Sequence, residues 1–124
     1  MDSTEIPFLP ATELSALIRS GDVSPVEAAE AYLDRIGQID GKLNSYITVC
    51  RDEALAEAQQ AEKEIAAGNY RGPMHGLPVA VKDQFYTKGI RTTGGSAILK
   101  DLVPNEDATV VANLKAAGSV LLGK

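Results

Sequence analysis

Two short runs, Val79-Ala80-Val81 and Val120-Leu121-Leu122, constrain this chain more than anything else in it. Each is apolar at every position. A strand with one wet face alternates apolar and polar residues, whereas a strand covered by helices on both faces does not. Between the runs, Val110, Val111 and Leu114 recur at helical spacing, with Asp107 as a candidate cap and Gly118 as the expected C′ residue. Strand (79–82), loop, helix (107–117) and strand (120–122) make a βαβ unit. Its strands should be parallel and its connection right-handed. The expected fold class is α/β.

The front of the chain reads as helical. Thr12 to Ser20 carries Leu14, Leu17 and Ile18 on one face, with Thr12 as cap and Gly21 as terminator. Ser24-Pro25-Val26-Glu27 has the form of a capping box with proline at the first helical position. The stripe Val26, Ala29, Leu33, Ile36 follows it, and Gly37 or Gly41 should end that helix. Tyr46-Ile47-Thr48-Val49 predicts a strand. The Ala-rich stretch from Asp52 to Ala67 predicts a helix closed by Gly68. Residues 83–106 contain Gly89, Gly94, Gly95 and Pro104 and read as a long functional loop.

The net charge of −5 argues against a nucleic-acid surface, which needs a basic patch. Cys50 is the single cysteine, so no intrachain disulfide can form, which suits a reducing cytoplasm. Residues 1–5 lack the basic and apolar regions of a signal peptide. No apolar run approaches the ~20 residues of a membrane span. The expected setting is cytoplasmic. A strand buried on both faces, with an unpaired edge, is an aggregation template as a last element. The expectation is therefore that residues 1–124 are the front of a longer, truncated domain.

Several residues invite a chemical role. Gly118-Ser119-Val120-Leu121-Leu122-Gly123-Lys124 fits G-x-x-x-x-G-K, but a phosphate loop follows a strand and opens a helix, and here the order is reversed. His75 has no cysteine or second histidine for a metal site and reads as a partly exposed loop residue. Cys50, at the end of an apolar run, reads as a small buried hydrophobe. Neither Asp83 nor Asp101 has a partner at metal-ligand spacing. Ser96 sits in Thr92-Thr93-Gly94-Gly95-Ser96 but fits neither S-x-x-K nor G-x-S-x-G, and reads as a turn residue. No cofactor or metal is expected.

Lys82 is the strongest candidate. It ends an apolar strand in Gly76-Leu77-Pro78-Val79-Ala80-Val81-Lys82-Asp83. From an ordinary lysine pKa of ~10.4, losing the proton at neutral pH costs ~4.6 kcal/mol. Burial of an ammonium can supply that much. In a continuing strand Asp83 would point to the other face and need not hold the proton on Lys82. The spacing alone leaves two readings open, a base or a strand-end lysine that snorkels to water.

Taken together with Thr87-Lys88-Gly89-Ile90-Arg91-Thr92-Thr93-Gly94-Gly95-Ser96, Asp107-Ala108-Thr109-Val110-Val111 and Leu114 through Lys124, the Lys82 segment resembles the amidase signature family. The helical front, with Ser24-Pro25-Val26-Glu27 and Asn44-Ser45-Tyr46, resembles that family's N-terminal region. The resemblance implies N-terminal helices, then the first strands of a mixed sheet covered by helices. It makes residues 1–124 the N-terminal part of one domain, with 1–70 mainly helical and 71–124 opening the core sheet. It implies carboxamide hydrolysis by a Ser–cis-Ser–Lys triad in which Lys82 is the base, without metal or organic cofactor. Both serines are expected downstream of this segment, and Ser96 matches neither.

The resemblance also implies partners. The substrate would be a small-molecule amide, with no direct nucleic-acid or membrane contact. A stand-alone amidase, with homodimer formation open to it, ranks slightly ahead of the glutaminase subunit of the tRNA-dependent amidotransferase, which feeds ammonia to partner subunits. Gln84-Phe85-Tyr86 favours the former, Lys88-Gly89-Ile90-Arg91-Thr92-Thr93 the latter. A short non-catalytic interaction module, docking by its strand edge, is the reading of another class.

Overall fold

The structure is a computed structural model that describes all 124 residues. A 3-10 turn at Ile6–Phe8 precedes α1 (Ala11–Ser20), α2 (Pro25–Leu43), α3 (Arg51–Ala66), β1 (Pro78–Ala80), α4 (Thr109–Ala116) and β2 (Val120–Gly123). A second 3-10 turn, Ala97–Leu99, lies in the long loop before α4. The two strands pair in parallel, with Pro78 opposite Val120 and Val79 opposite Leu121. Helices in front and a parallel pair behind are the expected α/β arrangement.

β2 organises the core. Its four residues are all buried, and successive side chains leave opposite faces. Val120 and Leu122 pack with Ala29 and Leu33 of α2 and with Ala54 and Ala58 of α3. Leu121 packs the other way, with Val81 and with Val111 of α4. Helices thus cover both faces, which is why the run shows no polar alternation. β1 is less enclosed: Pro78 and Val79 are half-buried and Ala80 is exposed. A second apolar cluster seats α1 and the first turn of the chain, joining Ile6, Leu14, Ile18, Val23, Ala28 and Leu77.

The capping box forms as read: Glu27 N–H donates to Ser24 Oγ at 3.1 Å, and Ser24 N–H to Glu27 Oε2 at 2.8 Å. Other local expectations need correction. α1 begins after Pro10 with no side-chain cap, so Thr12 lies inside the helix. α2 runs through Gly37 and Gly41 and stops at Asn44, which takes the left-handed conformation at φ 54°. A glycine in a helix costs only about 1 kcal/mol against alanine, and tertiary packing overrides it. Asp107 does not cap α4. Its carboxylate accepts from Lys88 N–H at 2.7 Å and from Lys115 Nζ at 2.9 Å, tying the loop to the helix.

Tyr46–Val49 is not a regular strand. Only Val49 forms an antiparallel bridge, to Gly123. The segment nevertheless runs along the free edge of β2: Lys124 N–H donates to Thr48 O, Ile47 N–H to Lys124 O, and Cys50 N–H to Leu122 O. This approach demands Gly123. A Cβ there would strike Thr48 O and lie 3.1 Å from Val49 Cα.

Two glycine substitutions should therefore move stability in opposite directions. Gly123→Ala forces the 46–50 segment away from β2 and should cost about 1–3 kcal/mol. Gly37→Ala meets nothing within 4 Å and should stabilise α2 by about 0.5–1 kcal/mol. Urea unfolding of the two variants checks both signs.

Candidate functional site

The site grows out of the C-terminal end of β1. The chain leaves the strand with its alternation intact for two residues, so Lys82 and Asp83 part company. Lys82 is exposed, whereas Asp83 is buried. Thr93 fixes the aspartate: its N–H donates to Asp83 Oδ2 at 3.0 Å, and its hydroxyl makes a second, very short bond to the same oxygen. Gly94 N–H donates to Asp83 O at 2.6 Å. The loop after β1 is thereby folded back onto the residue beside Lys82.

A cleft of about 500 Å³ opens there. Ser45, Tyr46 and Ile47 line one side, Ala80 to Gln84 with Gly94 and Gly95 the other, and Lys124 also contributes. The expectation that the sheet draws Lys82 out of water is corrected: Lys82 faces the cleft and solvent. β1 is only three residues long, and β2 flanks it on a single side. The strand ends before its cover reaches position 82.

The buried lysine is Lys124. Its side chain is fully enclosed. The ammonium donates to Phe85 O at 2.6 Å, Thr87 Oγ1 at 2.9 Å and Thr92 Oγ1 at 2.5 Å. Asp83 Oδ1 is the nearest carboxylate oxygen, at 3.9 Å. Burial lowers the Lys124 pKa from the ordinary lysine value, and the charge of Asp83 opposes that. Sequence reasoning missed this enclosure. No local signal marks it: both lysines follow apolar runs, and the threonines that receive Lys124 lie 37 and 32 residues away in sequence.

The remaining candidates have ordinary explanations. Cys50 is buried, and burial together with Glu53 and Glu57 pushes its thiol up to about 11, away from reactivity. Ser96 Oγ accepts from Ile98 N–H at 3.3 Å and caps the second 3-10 turn. The G-x-x-x-x-G-K run folds as β2, and its lysine is committed to Phe85, Thr87 and Thr92. No three His, Cys, Asp or Glu side chains gather where a metal could be held. No helix is long and apolar enough to cross a membrane.

His75 departs from expectation by being buried, at 2% exposure. Gly118 makes room for it, since a Cβ there would overlap the imidazole. Nδ1 accepts from Arg71 N–H at 3.1 Å, and Nε2 lies 3.1 Å from Glu64 Oε2 without good alignment. Ser119 lines the same pocket with a buried, unbonded hydroxyl. The trio resembles a serine–histidine–acid set, but neither ring nitrogen is turned to the serine, so no nucleophile is activated here. Hydrogen bonds from Arg71 and Gln60 hold the Glu64 carboxyl down at about 2.

Residues 27–124 match the family model described as Amidase. The chain belongs to the amidase family. It is 51% identical over 112 residues to a glutamyl-tRNA(Gln) amidotransferase subunit of Geobacter sp. (strain M21), covering 90% of this chain and 23% of that protein. It is 47% identical over 121 residues to the corresponding amidotransferase subunit of Thermobifida fusca, covering 98% and 24%. Among solved structures it resembles the native peptide amidase of Stenotrophomonas maltophilia, with a TM-score of 0.89 at 34% identity over 96% of this chain and 25% of the other. It also resembles a fatty acid amide hydrolase, with a TM-score of 0.92 at 28% identity over 99% and 22%. The chain spans about a quarter of the length of these relatives.

Burial lowers the His75 pKa from 6.5, against the opposing charge of Glu64. The unfolded chain therefore takes up a proton that the folded one refuses. The His75 contribution to stability should be complete above about pH 6.5 and decline as pH falls toward the folded value. His75 is the only histidine. Urea unfolding between pH 8 and pH 5 should show this decline, and His75→Gln should flatten it.

Proposed function

We propose that this chain carries the general base of an amide-hydrolysing enzyme, and that Lys82 is that base. One observation carries the reading: within an amidase-family chain, Lys82 opens into a cleft while its neighbour Asp83 is turned away and anchored by Thr93. An amine with no carboxylate bonded to it is free to exchange a proton with a serine. The two serines of a Ser–cis-Ser–Lys triad would come from sequence outside residues 1–124. Ser96 is not one of them, because its hydroxyl serves the turn that follows it.

On this reading, neutral Lys82 takes a proton from the bridging serine, which takes one from the nucleophilic serine. The nucleophile's oxygen bonds to the amide carbonyl carbon. The proton then returns through the same relay to the nitrogen as the C–N bond breaks. Water reverses the sequence and frees the carboxylate. The desolvation that Lys82 lacks in residues 1–124 would come from whatever covers the cleft, further polypeptide or substrate. The enzyme class is a hydrolase acting on C–N bonds other than peptide bonds, in the cytoplasm, with a small amide as substrate.

A second reading is favoured by one comparison. Identity to the amidotransferase subunits reaches 51–52%, against 44% for a putative amidase of Mycobacterium bovis. The amide would then be glutamine, and the released ammonia would pass to partner subunits.

Residues 1–124 joined in frame to the remaining part of the Thermobifida fusca amidotransferase subunit should hydrolyse a carboxamide. Lys82→Ala should lower that rate by about 10²- to 10⁴-fold. In residues 1–124 alone the same substitution should change stability by no more than about 0.5 kcal/mol, since the side chain is exposed. The 124-residue chain alone should give a blank amide assay. Turnover by it that Lys82→Ala abolishes would show that the serines are not needed. Rates of the full-length protein carrying residues 1–124, on glutamine against small aliphatic amides, separate the two readings, since about three quarters of the joined enzyme come from an amidotransferase subunit.

A further inference from the structure

The two sides of the Lys82 cleft come from segments far apart in sequence, 45–47 and 80–95. One residue is bonded to both. The backbone of Lys124 pairs with the first: its carbonyl accepts from Ile47 N–H at 2.7 Å and Thr48 N–H at 3.2 Å, and its N–H donates to Thr48 O at 2.8 Å. Its side chain holds the second through Phe85, Thr87 and Thr92.

The hydrogen-bond inventory at this ammonium is complete. An ammonium has three protons, and three oxygens receive them. Thr87 Oγ1 spends its own proton on Phe85 O at 3.1 Å, and Thr92 Oγ1 on Ile90 O at 3.0 Å. Each hydroxyl therefore presents lone pairs to Lys124. Asp83 Oδ1, buried and without a hydrogen bond, completes the charge balance at 3.9 Å. A buried ammonium is a costly way to fill space, and an aliphatic side chain would do that better. What the charge adds is direction, because it fixes three points on the loop beginning one residue after Lys82.

We propose that Lys124 is a positioning residue for Lys82: its buried ammonium clamps the 83–92 loop to the end of β2 and so sets where the Lys82 amine stands in the cleft. This rests on the reading of Lys82 as the base. Lys124 does not itself exchange protons with substrate, since all three of its hydrogens are engaged within the protein.

The test has one arm on the 124-residue chain and one on the joined enzyme described above. In the chain, Lys124→Met should lower the backbone NMR order parameter at residues 82–84 from about 0.85 to below about 0.6, leaving α1 to α3 unchanged. Thr92→Val keeps the ammonium but removes one acceptor, and should produce a smaller loss at the same residues. It also serves if Lys124→Met fails to fold. In the joined enzyme, Lys124→Met should reduce kcat about 10- to 100-fold with KM within about 2-fold, the pattern of a displaced catalytic group rather than lost binding. Unchanged order at 82–84 in the folded variants overturns the proposal. So does unchanged kcat in an enzyme that is active with Lys124 intact. If the joined enzyme with Lys124 intact is inactive on every amide, the reading of Lys82 fails instead, and the order parameters still decide the positioning role.

Discussion

The structure depends on satisfying the backbone of β2 along both edges while its two faces are buried. Val120 N–H donates to Leu77 O, and Gly123 O accepts from Val81 N–H, which secures the β1 edge. On the other edge, along the 47–50 segment, Leu122 O accepts from Cys50 N–H, and Lys124 N–H donates to Thr48 O. That segment is too irregular to serve every group. Leu121 N–H is met by Glu57 Oε2 of α3 at 2.8 Å, a carboxylate standing in for a neighbouring strand. The substitution is costly, and burial raises the Glu57 pKa accordingly. A buried N–H left unpaired would cost about 1–3 kcal/mol, so α3 is held in register by hydrogen bonding as well as by packing.

This constraint separates what the sequence states openly from what it conceals. Patterns repeated over many residues were legible. The stripe of α2, the alanines of α3 and the non-alternating runs at 79–81 and 120–122 each give the right element, and for β2 the right burial on both faces. The parallel pairing follows from the helix between them. Features decided by a single contact were not legible. Thr12 and Asp107 are good capping residues in isolation, but Pro10 already sets the start of α1, and Lys115 claims Asp107. Tyr46-Ile47-Thr48-Val49 has strand composition, yet its edge role requires only a few hydrogen bonds and one bridge. Gly37 and Gly41 look like stops, but α2 is held by Ala28, Ala29, Ala31 and Leu33 on its buried side.

The lysines show the same division. Both follow apolar runs, so composition alone offers either as the buried one. Which is buried depends on how far the cover extends beyond each strand. β2 lies between β1 and the 47–50 segment, and Lys124 remains inside when the strand ends. β1 is an edge, and two residues past its end the chain is already at the cleft. The threonines that receive Lys124 lie more than thirty positions upstream, at hydrogen-bond separations of 37 and 32 residues. No local spacing links them, and only the fold brings them together.

Two neighbouring amines therefore have opposite chemistry. Lys124 is buried, where loss of a proton is favoured, but each proton has a fixed acceptor and the nitrogen has no open direction toward the cleft. Lys82 is hydrated, but no carboxylate holds it and its nitrogen faces open space. A base needs both a lowered pKa and an accessible lone pair. Hydrogen bonds to the charged form oppose the first and block the second, so burial cannot make Lys124 a base. Desolvation can be added to Lys82 by closing the cleft, without breaking a bond that the fold needs. The amine left free by the structure is the one that can be recruited for proton transfer. The amine tied down by the structure is the one that can hold it in place.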